Sequence, residues 1–243
     1  MQVGMKVYSE NLDYVEPLSF ADFIEVLIMP GIDWTPLKQF DVKYKIHAAH
    51  HGFGVNLADP HKTKFNDKCI NEALDAAHAL DSPTIVLHPC GDLREGSIEQ
   101  LYKQLEKHSE KNQETKILLE NLPNFPCEKR LGTIPNDFPP LLKMGYGFCF
   151  DFGHMIATCA HNQLDYEQVT QEFMKLKPHY FHVSNGLVRS DYDLHLPLTE
   201  GDFDLEFFRK TILKDEPSEV TLETPFSREN KEEYKAFKEG VFV

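Results

Sequence analysis

The chain has 243 residues, 41% of them hydrophobic, and a formal net charge of −14 with five arginines among its 25 basic residues. That is enough for a sizeable core, but too few cations for a broad face that grips polyanions. Its five cysteines, Cys69, Cys90, Cys127, Cys149 and Cys159, are scattered and never in a CxxC pair, which argues against a disulfide framework and a thiolate zinc site.

No window approaches about eighteen uninterrupted apolar residues and no signal-peptide pattern is seen, so a cytoplasmic protein with no membrane association is expected. Runs rich in Val, Ile, Leu, Phe and Tyr recur along the chain: QVGMKVYS (2–9), FIEVLIMP (23–30), KYKIHAAH (43–50), TIVLHP (84–89), KILLEN (116–121), GFCFDF (147–152), HYFHVS (179–184) and EVTLET (219–224). Several are apolar on both faces, as parallel strands covered on one side by helices and on the other by a barrel interior should be.

The connection at 10–22 is short and proline-interrupted, so no full helix is expected there. Residues 66–80 carry Ile70, Leu74, Ala77 and Leu80 at helical spacing, and 97–108 repeat the pattern with Ile98, Leu101 and Leu105 behind a Ser97 cap. A third such segment, 204–213, follows an Asp204 cap, and a fourth runs from Ser227 to Gly240. Eight strands alternating with mostly helical connections predict one (β/α)8 TIM barrel, an α/β fold, as a single catalytic domain over 1–243.

Active sites of such barrels lie at the carboxyl ends of the strands. Six consecutive runs end in a metal-capable side chain: His47 or His50, then His88, Glu120, Asp151, His182 and Glu223. Asp151 and His154 form a DxxH pair, and Asp193 and His195 a DxH pair in the loop after the seventh run. A lone histidine is most often a hydrogen-bonded structural residue, the reading for His61, His78, His108, His161 and His179. Six strand ends converging on one mouth need cations or substrate to compensate them. The donors are all nitrogen and oxygen, which suits Zn, Mn, Co or Fe, and nine ligands suffice for more than one of the one to three divalent ions expected. Cys90, Cys149 and Cys159 are core or loop thiols. Asp191, Asp202 and Asp204 read as ordinary loop and cap carboxylates, with Glu200 and Gly201 in a rim turn.

The motifs IHAAHHGFGVNLA, VLHP, LLEN, DFGH, FHVS, DLH and LETP, in this order over essentially the whole chain, resemble the xylose isomerase-like barrel superfamily, which includes sugar isomerases and epimerases and endonuclease IV. The resemblance implies metal ligands at His47 (His50 as the alternative), His88, Glu120, Asp151, His154, His182, Asp193, His195 and Glu223. This chain departs from the nuclease pattern at Thr199, where glycine is expected, at Val-Ser-Asn-Gly after His182 (Asn-Asp in many relatives), and in a 10–22 connection without Lys or Arg.

Two activities follow from the resemblance. The favoured one is isomerisation or epimerisation of a small sugar or sugar phosphate. One ion would then be held by Glu120, Asp151, His182 and Glu223, Glu120 and Glu223 would exchange the proton, and His88 and His154 would orient hydroxyls. The alternative is phosphodiester hydrolysis on a trinuclear zinc-type site, as in abasic-site DNA repair. Ligand count favours it, and the acidic charge disfavours DNA as the partner. A barrel that only binds or senses is the third reading.

Overall fold

Eight parallel strands close on themselves in strict chain order: β1 (Gln2–Tyr8), β2 (Phe23–Ile28), β3 (Tyr44–Ala48), β4 (Thr84–Leu87), β5 (Lys116–Glu120), β6 (Gly147–Asp151), β7 (Tyr180–Val183) and β8 (Glu219–Leu222). The computed structural model describes residues 1–111, 115–125, 127–215 and 217–242. The ring closes where β1 pairs β8 with Gln2 opposite Glu219 and Met5 opposite Leu222. The helices are α1 (Thr63–Ala79), α2 (Ile98–Lys111), α3 (Phe138–Leu142), α4 (Phe152–Asn162), α5 (Tyr166–Met174), α6 (Leu205–Ile212) and α7 (Asn230–Glu239). None of the helices among the described residues is long and apolar enough to cross a membrane.

Strand side chains alternate between two environments, as a period of two demands. Val3, Met5 and Val7 of β1, Ile24 and Val26 of β2, and Phe148 and Phe150 of β6 join the large outer core. The alternate positions face the axis, where Phe23, Val86, Leu118, Cys149 and Tyr180 form a separate apolar plug. Gly4 makes room for it, since a Cβ there would lie 2.2 Å from the Phe23 ring. At the amino end of the barrel Lys45 Nζ reaches Glu219 Oε2 at 2.7 Å and lies 5.8 Å from the ring centres of both Phe23 and Tyr180.

The connections differ in length for local reasons. Residues 10–22 wind through a 3-10 turn at Leu12–Tyr14, as the proline-interrupted sequence predicts, and 29–43 through another at Thr35–Gln39 with Pro36 in its first turn. Buried Val15, Leu18 and Leu37 take the place of a covering helix. Asp59 accepts the His61 N–H at 2.8 Å and starts helical winding at Pro60, so α1 begins before its apolar periodicity does. Ser97 and Asp204 cap α2 and α6 as expected, accepting from Gln100 N at 3.1 Å and Phe207 N at 2.8 Å. The last helix starts three residues after Ser227, because the Asn230 side chain ties back to Ser227 N and Pro225 O and holds 227–229 in a turn.

Candidate metal centre

Continuing the inward alternation toward the carboxyl ends turns a mostly apolar layer into one of ionisable side chains. Phe23 gives way to Glu25, Lys45 to His47, Leu118 to Glu120, Cys149 to Asp151, Tyr180 to His182 and Thr221 to Glu223, each two residues on. Strand register brings them level: Lys6 is opposite Glu25, and Asp151 opposite His182. An apolar plug therefore carries a ring of ionisable groups.

These groups gather in sets close enough to share an ion, with ligand atoms within 4.8 Å of one another. His47, His88 and Glu120 form one, and Glu120 Oε2 lies 3.0 Å from His47 Nε2 and 3.1 Å from His88 Nε2. Glu120, Asp151, His182 and Glu223 form the second, where His182 Nδ1 is 3.0 Å from Glu120 Oε1, 2.9 Å from Glu223 Oε1 and 3.8 Å from Asp151 Oδ2. His154, Asp193 and His195 form the third, with Asp193 Oδ2 at 3.3 Å from His154 Nε2 and 2.5 Å from His195 Nε2. Glu120 belongs to the first two, one carboxylate oxygen toward each. A deeper set, Glu25, His47 and His182, lies below them.

Ring orientation is fixed from behind. His47 Nδ1 donates to Ala48 O at 2.7 Å, His154 Nδ1 to Asn121 O at 2.8 Å and His195 Nδ1 to Glu223 O at 3.0 Å. With Nδ1 engaged in this way, Nε2 is the nitrogen turned to the mouth, the arrangement a metal-ligating imidazole adopts. His182 is reversed: Nε2 donates to Glu25 Oε2 at 2.9 Å and leaves Nδ1 facing the ligand set. Glu25 in turn accepts from Tyr180 OH at 2.5 Å, from Thr221 Oγ1 at 2.9 Å and from Lys6 Nζ. The donor set and its supports fit divalent ions.

Electrostatics says the same. Burial pushes the Asp151 carboxyl up to about 7, with Glu120, Asp193 and Glu223 adding to the rise against the pull of His154. For His154 and His195 burial alone would lower the pKa, but carboxylates, led by Asp151 for the first and Asp193 for the second, lift each to about 10. Burial brings His88 down to about 4 despite the neighbouring Glu120. Glu120 is held well below its ordinary range: the cost of burial is overcome chiefly by His182 and His88. Protons thus occupy places that cations would take.

All nine sequence-predicted ligand positions reach this mouth. His47 enters the sets, whereas His50 caps the turn at His51–Phe53, its Nδ1 accepting from Gly52 N at 3.2 Å, and stacks on His88 with centroids 4.7 Å apart. The loop after β7 is folded back by the Asn185–Leu196 bridge, with N···O distances of 3.1 and 2.8 Å, and His195 sits at φ 46°, a left-handed conformation uncommon outside glycine. Asp202 and Asp204 accept loop and cap N–H groups, as expected of ordinary carboxylates.

Sequence reasoning missed Lys6 and Glu25. Lys6 bridges Glu25 and Glu223, 2.8 Å from the latter, with its side chain only 6% exposed. Their signal was present: one charge inside an otherwise apolar strand, at the inward parity.

The profile of the family described as "Xylose isomerase-like TIM barrel" matches residues 35–240. An uncharacterised protein of Methanocaldococcus jannaschii is 25% identical over 179 residues, 68% of this chain and 58% of that protein, so the match spans less than two thirds of that relative's length. Among solved structures, a D-tagatose 3-epimerase-like protein superposes with a TM-score of 0.78 at 21% identity, covering 98% of this chain and 96% of the other. Endonuclease IV from Thermus thermophilus superposes with a TM-score of 0.74 at 17% identity, covering 99% and 100%. At these identities the two structures establish the shared fold.

Proposed function

The chain belongs to the xylose isomerase-like TIM barrel family, and on that premise we propose that it is a divalent-metal-dependent hydrolase of small phosphate esters. The observation that carries this is the third ligand set. His154, Asp193 and His195 add a place for an ion that proton exchange on a sugar does not require, beside two sets already joined through Glu120.

Bound ions would supply Lewis-acid stabilisation of a phosphoryl oxygen and an activated water. The chain's own residues do the rest. Glu120 fixes the spacing of the first two sets by giving each one oxygen. Asp151 is held by the helix it caps, accepting His154 N at 2.6 Å, and its backbone is cross-tied to Asn121 by two hydrogen bonds of 2.8 Å. Lys6 keeps Glu223 ionised and joins His182 in doing so for Glu25; burial would lower its own pKa, and Glu223 and Glu25 raise it strongly instead. Tyr8, Phe125 and Pro123 wall the mouth with apolar surface.

Substrate size follows from the cavity, about 350 Å³. Of the described residues lining it, Lys6 and Arg130 are the permanent cations, and both are paired with carboxylates. A duplex needs many free phosphate contacts, so a small ester is favoured.

A second reading, epimerisation of a small sugar, is supported by the second set taken alone: Glu120 and Glu223 flank His182 and could exchange a proton across one bound substrate. Elemental analysis of the purified protein separates the two, run with turnover of bis-p-nitrophenyl phosphate, incision of an abasic oligonucleotide, and solvent proton exchange on ketoses. More than one ion per chain with ester cleavage is expected. One ion with proton exchange and no ester cleavage would overturn the hydrolase reading.

A further inference from the structure

One wall of the mouth takes no part in the ligand sets. His51 arrives there from the loop after β3, and Phe125, Glu128 and Arg130 from the loop after β5; all four line the cavity. Glu128 lies between the other two polar side chains, with Oε1 3.6 Å from His51 Nε2 and Oε2 paired with Arg130 Nη2. The Arg130 guanidinium carbon lies 4.7 Å from the Phe125 ring centre.

The loop that carries Arg130 is anchored on both sides. Leu93 N donates to Lys129 O at 2.7 Å, and Lys129 N to Asp92 Oδ1 at 3.3 Å. Leu122 N donates to Gly132 O at 2.8 Å and closes its base.

Within this frame three buried side-chain atoms have no hydrogen-bond partner: the nitrogens Arg130 Nε and His51 Nδ1, and Glu128 Oε2, which keeps only its ion pair with Arg130 Nη2. The Arg130 side chain is only 5% exposed. A buried guanidinium N–H left unpaired is disfavoured, and a purely structural ion pair would normally satisfy it. Stacking on Phe125 and the single carboxylate tether leave the rest of a planar donor fork oriented in advance, the geometry suited to an oxyanion.

We propose that Arg130, seconded by His51, is a subsite for an anionic group of the substrate remote from the bond that reacts. The substrate is then a small ester bearing a second oxyanion, a phosphate or a carboxylate. The identity of the reacting bond rests on the phosphate-ester reading above; the subsite itself rests on the cavity wall.

The test is calorimetric titration of the metal-loaded protein with inorganic phosphate and, separately, with malonate. Arg130→Gln should weaken the preferred anion by about tenfold or more with metal content unchanged. Whichever probe responds identifies the group as phosphate or carboxylate. Glu128→Gln removes the competing carboxylate and should tighten the same anion by about threefold, a gain that misfolding cannot imitate. If Arg130→Gln loses its metals, and so its fold, the Glu128→Gln arm decides. Wild-type affinity for both anions in both variants would overturn the proposal, leaving any binding to the ions alone. Failure of the hydrolase reading shows separately, as absent ester turnover with the anion effect intact.

Discussion

At the level of single residues, the mouth is a set of carboxylates and imidazoles whose protonation and metal occupancy compete. His195→Ala removes one donor of the third set while the other two sets keep theirs. Elemental analysis should therefore find one ion fewer per chain, and unchanged metal content would count against the third set as a metal site. The pH dependence of the metal-free protein has a definite sign. His154 and His195 are lifted from 6.5 to about 10, burial opposing and carboxylates winning, so their contribution to stability is full below about 6.5 and lost as pH rises through about 10. Asp151, raised by burial from 3.8 to about 7, favours its protonated form in the fold, and that contribution is lost as pH rises through about 7. Both act in one direction, Asp151 below about pH 7 and the two histidines above it: the Tm of chelator-treated protein should already decline toward pH 7 and go on falling between about pH 7 and 10. Metal-loaded protein should lose less over the same interval, because cations replace the protons. Parallel Tm curves with and without metal would contradict this. Of these residues the sequence disclosed the nine at strand ends and in DxxH and DxH pairs. It hid Lys6 and Glu25, because a single charge in a strand becomes meaningful only once the inward parity is known.

At the level of strands and helices, the barrel was legible because each strand is a short apolar run bounded by turns, and closure follows from eight of them with crossover connections. What could not be read was which residues of a doubly apolar strand face the axis, since a run such as Phe23–Ile28 is buried at every position. Helix starts were misjudged for a related reason. Periodicity marks the buried face, whereas Asp59 and Asn230 set the first turn through side-chain hydrogen bonds that leave no periodic trace. The inner plug gives a sharp test of the parity now seen. A methyl group at Gly4 would lie 2.2, 2.4 and 2.6 Å from three atoms of the Phe23 ring, inside a closed barrel. Gly4→Ala should cost about 1–3 kcal/mol by overpacking, measured by denaturant unfolding. It should also disturb metal content, since Phe23 lies two residues below Glu25. A neutral substitution would mean that the ring can move aside and that the plug does not support the centre.

Across the molecule as a whole, a chain of net charge −14 carries its candidate ligand sets in a mouth that is itself rich in carboxylates. Bound divalent ions would reverse that sign locally. A protein built to track a nucleic-acid backbone releases counterions on binding, and one making about 6–10 phosphate contacts loses about 10³–10⁵ in affinity between roughly 50 and 200 mM salt. Here the permanent cations among the described residues lining the cavity are Lys6, committed to Glu25 and Glu223, and Arg130, tethered to Glu128. One arginine available to one anion gives a shallow salt slope. The kcat/KM for a small anionic ester should therefore fall by no more than about tenfold over that same salt range. Binding of an abasic duplex should be too weak to measure at the upper end of it. A slope as steep as that of a duplex-binding protein would show that a basic surface outside the mouth takes part, and would favour DNA over a small ester as the substrate.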